Sequence, residues 1–154
     1  MEAKTIQKYS KLSTAKLKAK AVKIFNAWIR NRDKGNRCIS CGSGIPEHAG
    51  HFYSAGHHNG LRFDSDNCHL QCVRCNYFLS GNLLNYRRGL IQKIGLERLT
   101  NLDMKAKMKG AVKDDRFLLI DIILKYSPNL NGKDRQMERI VKKTGKCIGS
   151  GKIG

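Results

Sequence analysis

The chain lacks long hydrophobic stretches. Its longest uninterrupted apolar run, Phe117–Ile120, ends at Asp121, whereas a membrane-spanning helix needs roughly 20 apolar residues. The first 25 residues contain seven lysines and no apolar block, so we expect no secretory signal. These absences argue against a membrane protein and against an exported one.

Acidic residues are also scarce. The chain has 12 Asp and Glu against 30 Lys and Arg, which gives a formal net charge of +18 and a pI of about 10.0. This imbalance predicts a polyanionic partner. Aromatic residues make up only 7% of the chain and form no base-stacking motif, which disfavours an RNA-binding protein. Apolar residues make up 40% and cluster periodically, which excludes a fully disordered basic chain.

Helical periodicity dominates both ends of the chain. Between Leu12 and Asp33 the apolar residues fall on one helical face and lysines occupy the other; the apolar set is Leu17, Ala21, Ile24, Phe25, Trp28 and Ile29. Further helices are predicted over Glu97–Leu102 and Asp115–Tyr126, the latter closed by Ser127-Pro128. The basic tail from Asn131 is expected to be mobile. Three regions follow: a basic N-terminal helix (1–35), a central region (36–95) and a helical basic extension (96–154).

The central region predicts a small α+β unit flanked by these helices. Short strands are predicted over Gly50–Ser54 and at the end of Leu61–Cys72. A helix is then predicted to begin with Asn82 as N-cap and to end at Gly95. Its buried face is predicted to consist of Leu83, Leu84, Leu90, Ile91 and Ile94.

Four of the six cysteines form two CxxC pairs. Cys38 and Cys41 are separated by thirty residues from Cys72 and Cys75. A two-residue spacer aims both sulfurs of a pair at one point, so two pairs can complete a tetrahedron around a structural Zn²⁺. Redox-active pairs and chance placement are the alternatives. Cys68 and Cys147 have no partner at ligand spacing and are interpreted as ordinary thiols.

The residues between and around these pairs resemble the HNH, or His-Me finger, nucleases, and more closely the NinG/Rap recombination endonucleases of lambdoid phages. HNH nucleases carry a histidine on the first strand of a ββα unit, an asparagine on the second and His or Asn at the start of the helix. The resemblance covers about residues 10 to 98 and rests on Arg30-Asn31-Arg32-Asp33, Cys38-Ile39-Ser40-Cys41-Gly42, Ala49-Gly50-His51, Leu61-Arg62-Phe63, Asp66-Asn67-Cys68-His69-Leu70-Gln71-Cys72, Cys75-Asn76, Leu79-Ser80-Gly81-Asn82 and Tyr86-Arg87.

The resemblance implies a zinc-stapled His-Me finger in which three residues carry the chemistry. His51 is the predicted general base, because a neutral imidazole accepts a proton at physiological pH. Asn67 is predicted to orient the His51 ring through its side-chain oxygen. Asn76 is predicted to bind a catalytic Mg²⁺ or Mn²⁺, since hard cations prefer oxygen ligands.

One position departs from the HNH pattern. Many members carry Asp or His as a metal ligand immediately before the base, and here that residue is Gly50. Asp64, His57, His58 and His69 are the candidate replacements; the alternative is that His51 itself is the ligand while another group activates water. For Asp64, His57 and His58 a solvated loop or turn is the alternative.

The resemblance implies a metal-dependent DNA endonuclease that cleaves Holliday junctions or D-loops in the cytoplasm of a bacterial host. A non-catalytic, zinc-stabilised nucleic-acid-binding module is the alternative. The candidates for DNA contact are Lys16, Lys20, Lys23, Arg30, Arg32, Arg62, Arg74, Tyr86, Arg87 and Arg88. A homodimer is possible through the nearly all-apolar segment 117–124, which burial beneath the Trp28 helix would explain equally well.

Overall fold

The computed structural model describes residues 3–43, 45–108 and 114–127, and the architecture there is α+β. The elements in chain order are α1 (Ala3–Tyr9), α2 (Thr14–Arg32), β1 (Pro46–His51), a short 3₁₀ helix (Asn59–Leu61), β2 (Cys68–Cys72), a π-helical turn (Arg74–Phe78), α3 (Leu83–Lys107) and α4 (Arg116–Tyr126). Within these residues no helix is both long and apolar enough to cross a membrane. The C-terminal tail and Cys147 lie outside the described residues.

The two strands form one antiparallel sheet. His48 pairs with Gln71, Gly50 with His69 and His51 with Cys68, and the register shifts between Pro46 and His48. The first strand thus begins four residues earlier than the predicted Gly50–Ser54. The prediction was wrong because the chain leaves the ladder at Tyr53, whose backbone N–H donates to the Asn67 side chain at 2.8 Å.

The first core lies between α2, α4 and the sheet. The N-cap Ser13 begins α2, and Asp115 begins α4 by accepting hydrogen bonds from the amides of Phe117 and Leu118, both at 3.1 Å. Both helices confirm their predicted positions. The ring of Tyr126 packs on Phe25 and Trp28 with centroids 5.1 and 4.6 Å apart. The buried side chains of α2 and α4 in this core are Leu17, Ala21, Ile24, Phe25, Ala27, Ile29, Leu119, Ile120, Ile123 and Tyr126.

This packing bears on the apolar segment of α4. One side of that helix is buried against α2 within the chain, whereas Phe117, Leu118 and Leu124 keep 51%, 39% and 38% of their surface exposed. Burial beneath the Trp28 helix therefore accounts for much of its apolar character. Dimerisation stays a prediction.

Helix α3 consists of two helical segments that meet at Gly95. Gly95 is non-helical (φ 82°, ψ 162°), which confirms the predicted helix end there, and the second segment runs to Lys107 and contains the predicted helix Glu97–Leu102. The predicted buried face was wrong except at Leu90 and the half-buried Ile94, since Leu83, Leu84 and Ile91 are exposed. The buried side chains of α3 are Tyr86, Leu90, Leu99 and Leu102.

The orientation of α3 follows from a close contact at Gly89. A Cβ at this position would lie 2.0 Å from the carbonyl oxygen of Ile39. Only glycine lets the helix approach the first CxxC segment so closely. That approach turns Tyr86 and Leu90 inward and leaves Leu84 facing solvent.

A buried carboxylate joins α2, β2 and α3. Asp33 is 1% exposed, and its oxygens lie 2.7 Å from Arg32 Nη2 and 2.8 Å from Lys93 Nζ. It also accepts a hydrogen bond from the backbone N–H of Leu70 at 3.2 Å. Burial alone would raise the pKa of Asp33, but contacts with His69, Arg32 and Lys93 outweigh burial and hold that pKa well below its usual range.

Replacing Asp33 should destabilise the fold, because Asp33→Asn leaves Arg32 and Lys93 without their carboxylate. We expect a loss of about 3 kcal/mol in the free energy of unfolding at pH 7, measured by urea denaturation. The folded-state pKa of Asp33 lies below its ordinary value of about 3.8. Its stabilisation is therefore full above that pH and is lost as the pH falls through the folded value.

The exposed Asp121 on α4 provides the control. Asp121→Asn should change the free energy of unfolding by no more than about 0.5 kcal/mol. The gap between wild type and Asp33→Asn should narrow as the pH drops below about 3.8. Equal stability of the two variants at pH 7 would contradict a special role for Asp33.

Candidate metal centre and active site

The two CxxC pairs meet in one cluster. The sulfur atoms of Cys38, Cys41, Cys72 and Cys75 all lie within 4.8 Å of one another. Cys41 is exposed and the other three are buried. Four thiolates this close could hold a metal such as zinc, which confirms the predicted grouping.

Short local contacts aim each pair at this cluster. In the first pair, Gly42 adopts φ +63° and its N–H donates to the Cys38 carbonyl at 2.9 Å, closing a tight turn. In the second pair, the N–H of Cys75 donates to Cys72 Sγ at 3.5 Å, and Asn82 Nδ2 donates to Cys75 Sγ at 3.3 Å. Asn82 thus supports a cysteine rather than capping α3 through its side chain.

The pKa of Cys41 suits a metal ligand. A hydrogen bond from the Ser43 hydroxyl lowers the pKa of Cys41 to about 6, although burial opposes that effect. Burial raises the pKa of Cys75 to about 12. A bound cation would favour the thiolate form of both residues.

Asn76, directly after Cys75, meets a histidine that the sequence analysis missed. Its Nδ2 lies 2.9 Å from His48 Nδ1 on β1, so the amide donates to the ring. His48 and Gly50 share a face of β1 because side chains alternate along a strand. His48 was missed because β1 was predicted to begin at Gly50. Since β1 begins at Pro46, His48 lies on this strand, two residues before Gly50.

Two amide oxygens converge on the space beside Gly50. A Cβ at Gly50 would lie 1.9 Å from Gln71 Oε1 and 2.9 Å from Asn76 Oδ1. A side chain at position 50 would therefore have to displace these two amides. Gln71 is fully buried, and its Nε2 donates to Ser40 Oγ and to the Gly81 carbonyl, both at 2.7 Å. Among the described residues its Oε1 has no hydrogen-bond partner.

His51 is the last residue of β1 and lies on the opposite face of the strand from His48. Its Nε2 is 2.9 Å from the Arg62 carbonyl oxygen, so Nε2 carries the proton and Nδ1 keeps its lone pair. Nδ1 lies 3.9 Å from Cys68 Sγ, and the ring packs on Phe25. Burial, and secondarily the Arg62 charge, lower the pKa of His51 despite the carbonyl contact, which favours the neutral ring.

Asn67 holds the loop between the strands and does not touch the His51 ring. Its Oδ1 accepts from the N–H of Tyr53 at 2.8 Å, and its Nδ2 donates to the carbonyls of Tyr53 and Leu61 at 2.9 and 3.0 Å. The predicted direct orientation of His51 by Asn67 was therefore wrong. Asn67 instead braces the loop whose Arg62 carbonyl positions His51.

Two of the predicted metal ligands, His69 and Asp64, form hydrogen bonds and ion pairs away from Asn76. His69 is 2% exposed; its Nδ1 faces Arg32 Nη2 at 2.8 Å and its Nε2 the Asp66 carbonyl at 3.1 Å. Both ring nitrogens are engaged, so His69 serves the Asp33 network. Asp64 bonds with Lys105 Nζ at 2.8 Å and with the backbone N–H of Asp66 at 2.9 Å. The structure does not bring either residue into contact with Asn76.

The ten candidates for DNA contact differ in their exposure and in their partners. The exposed ones are Lys16, Lys23, Arg30, Arg74 and Arg88, and Lys20 is half-buried. Tyr86 was a wrong choice, since it is fully buried and its hydroxyl donates to the Gly50 carbonyl at 2.8 Å. The remaining three arginines pair with carboxylates: Arg32 with Asp33, Arg62 with Asp114 and Arg87 with Asp103.

Comparisons with known proteins agree on one family. The model of the Bacteriophage Lambda NinG protein family matches residues 2–136. Protein ninG of Escherichia phage 933W is 44% identical over 85 residues, covering 54% of this chain and 42% of that protein.

Protein ninG of Salmonella phage P22 is 42% identical over 89 residues, covering 56% of this chain and 44% of that protein. Protein ninG of Escherichia phage lambda is 42% identical over 85 residues, covering 54% and 42% of the two chains. The match thus spans less than half the length of these relatives. No solved structure matches the chain significantly.

The cysteine cluster predicts one zinc per chain. Cys72→Ser should abolish zinc binding and unfold the region around the sheet, because a structural zinc supplies folding free energy. Elemental analysis and circular dichroism of protein purified without chelators measure both effects.

Cys68 offers a matched control, since it is an equally buried thiol outside the cluster. Cys68→Ala should retain one zinc per chain. Wild-type protein without zinc, or Cys72→Ser protein with a full equivalent, would contradict the assignment.

Proposed function

The chain belongs to the NinG family, and from this premise we propose that it is a metal-dependent DNA endonuclease acting on branched recombination intermediates such as Holliday junctions or D-loops. In this proposal β1, β2 and the helical segment after them form a His-Me finger stapled by zinc. One observation carries it: Asn76 Oδ1 and the unpartnered Gln71 Oε1 converge beside Gly50, directly before His51 on β1, while Asn76 Nδ2 contacts His48 Nδ1.

The donors beside Gly50 fit a hard divalent cation. Asn76 and Gln71 offer amide oxygens, which suit Mg²⁺ or Mn²⁺. His48 Nδ1 accepts from Asn76 Nδ2 and so orients the Asn76 amide. A fully buried carbonyl oxygen without a partner costs free energy, and a cation would offset that cost. When bound, the cation would neutralise charge that develops on the phosphate during hydrolysis.

His51 is the proposed general base. Its protonated Nε2 is held by the Arg62 carbonyl, and Nδ1 is the proposed proton acceptor. Nδ1 faces Cys68 Sγ at 3.9 Å on the strand face opposite His48, so a water activated by His51 must displace that contact. The lowered pKa keeps the ring neutral at physiological pH. Asn67 contributes as a positioning residue, because it fixes the loop that carries Arg62.

The charge of the chain supports a DNA substrate. The net charge is +18, and exposed Lys16, Lys23 and Arg30 lie on α2 while Arg88 lies on α3. These side chains would bind phosphates without reading base sequence. The preference for branched DNA rests on the resemblance of the motifs to the recombination endonucleases.

His51→Ala should abolish cleavage and leave DNA binding nearly unchanged. Loss of a general base lowers a rate by about 10² to 10⁴, whereas a neutral imidazole contributes no phosphate-binding charge. The assay uses a labelled four-way junction and a matched linear duplex, with Mg²⁺ or with EDTA.

His57 in the exposed loop is the matched control, and His57→Ala should cleave like wild type. Cleavage by His51→Ala within threefold of wild type would exclude His51 as the base. Junction binding by wild type without cleavage in Mg²⁺ or Mn²⁺ would favour the non-catalytic binding module.

Asn76→Ala should weaken Mn²⁺ binding by about tenfold or more because it removes a ligand. His48→Ala should have a similar effect because the Asn76 amide loses the contact that orients it. Electron paramagnetic resonance of free Mn²⁺, titrated with zinc-loaded protein without DNA, measures this directly. Asp64→Asn should bind Mn²⁺ like wild type, since Asp64 pairs with Lys105. Unchanged Mn²⁺ affinity in His48→Ala would remove His48 from the site.

A further inference from the structure

Two aromatic side chains stand exposed directly after Asn76. Tyr77 is 74% and Phe78 71% exposed, and their rings meet edge to face with centroids 5.3 Å apart. We call this pair the aromatic tip. Burying such rings is normally favourable, so an exposed pair of this kind marks a binding surface.

Backbone hydrogen bonds fix the turn that carries the aromatic tip. It ends the π-helical turn whose Cys75 belongs to the cysteine cluster. The N–H of Gly81 donates to the Cys75 carbonyl at 2.8 Å, and that of Leu79 to the Arg74 carbonyl at 2.9 Å. The tip therefore has little freedom to fold back onto the protein.

The surroundings of the tip favour a nucleic acid over an apolar partner. Arg74, in the same turn as the tip, is exposed and offers a positive charge beside the two rings. The chain as a whole carries +18. Tyr77 directly follows Asn76, the proposed cation ligand, so a base stacked on the tip would lie near a phosphate bound at that cation.

We propose that the aromatic tip stacks on unpaired or unstacked bases at the branch point of the DNA substrate. This inference rests on the proposed function. Aromatic side chains stack on any base, and wedges of this type enter between base steps. A branch point exposes base faces that a linear duplex keeps stacked, so the tip would add affinity for branched DNA alone. A low overall aromatic content does not disfavour this, because two well-placed rings suffice.

The test compares wild type with a Tyr77→Ala/Phe78→Ala double variant on a four-way junction and a matched duplex. Ca²⁺ replaces Mg²⁺ so that DNA is bound without cleavage. We expect junction affinity to fall by about tenfold or more, as for one or two lost base stacks, and duplex affinity to change by less than about twofold. A 2-aminopurine base at the branch point should change its fluorescence on binding wild type and not on binding the variant.

Two further variants keep the test decisive. Phe78→Trp preserves an aromatic surface and should retain junction preference, while Phe117→Ala removes an exposed ring on α4 and should have no effect. Zinc content shows that each variant is folded. Equal junction affinity for wild type and the double variant, with wild-type cleavage intact, would overturn the tip's role and leave the proposed function standing.

Other outcomes point elsewhere. If the wild-type protein cleaves none of the DNA substrates, the proposed function is overturned. The 2-aminopurine fluorescence would still show whether the aromatic tip contacts bases at the branch point. A change from dimer to monomer in the double variant by light scattering, without any change in 2-aminopurine response, would identify the tip as a self-association surface and overturn the proposal.

Discussion

The convergence of four cysteine sulfurs within 4.8 Å is the constraint on which the central region depends. A sheet of two short strands is at best marginally stable by itself. Here the loop before β1 and the turn after β2 are tied to one point, so both strands are anchored at the same end. A metal at this point would supply the stability that two strands cannot.

The same constraint positions the candidate active site. Asn76 follows Cys75, and Gln71 precedes Cys72, so two amide groups are placed by the residues that form the cluster. Their oxygens meet beside Gly50 because glycine leaves the space empty. His48 lies on the same face of β1 and contacts the Asn76 amide nitrogen at 2.9 Å. The donor set is therefore a consequence of the cluster, the register and one missing side chain.

Buried polar side chains connect distant segments of the chain in the interior. Asn67 and Gln71 are fully buried, and Asp33 nearly so. Each joins segments that are distant in sequence: Asn67 closes the loop between the strands, Gln71 links β2 to Ser40 and Gly81, and Asp33 connects α2 to β2 and α3. Buried polar networks specify one arrangement of a small core, because a shifted register leaves their members unsatisfied.

Local patterns in the sequence determined the cysteine cluster and the helices α2 and α4, because CxxC spacing and apolar periodicity act over a few residues. They also determined that Asn76 lies beside the cluster. Tertiary structure decided which groups contact Asn76, since β1 begins at Pro46 and its register with β2 brings His48 to Asn76. The same register places His69 beside Asp33. It also decided the buried face of α3, because the contact of Gly89 with the Ile39 carbonyl turns Tyr86 inward and Leu84 outward. Such choices depend on residues far apart in the chain, and no local pattern records them.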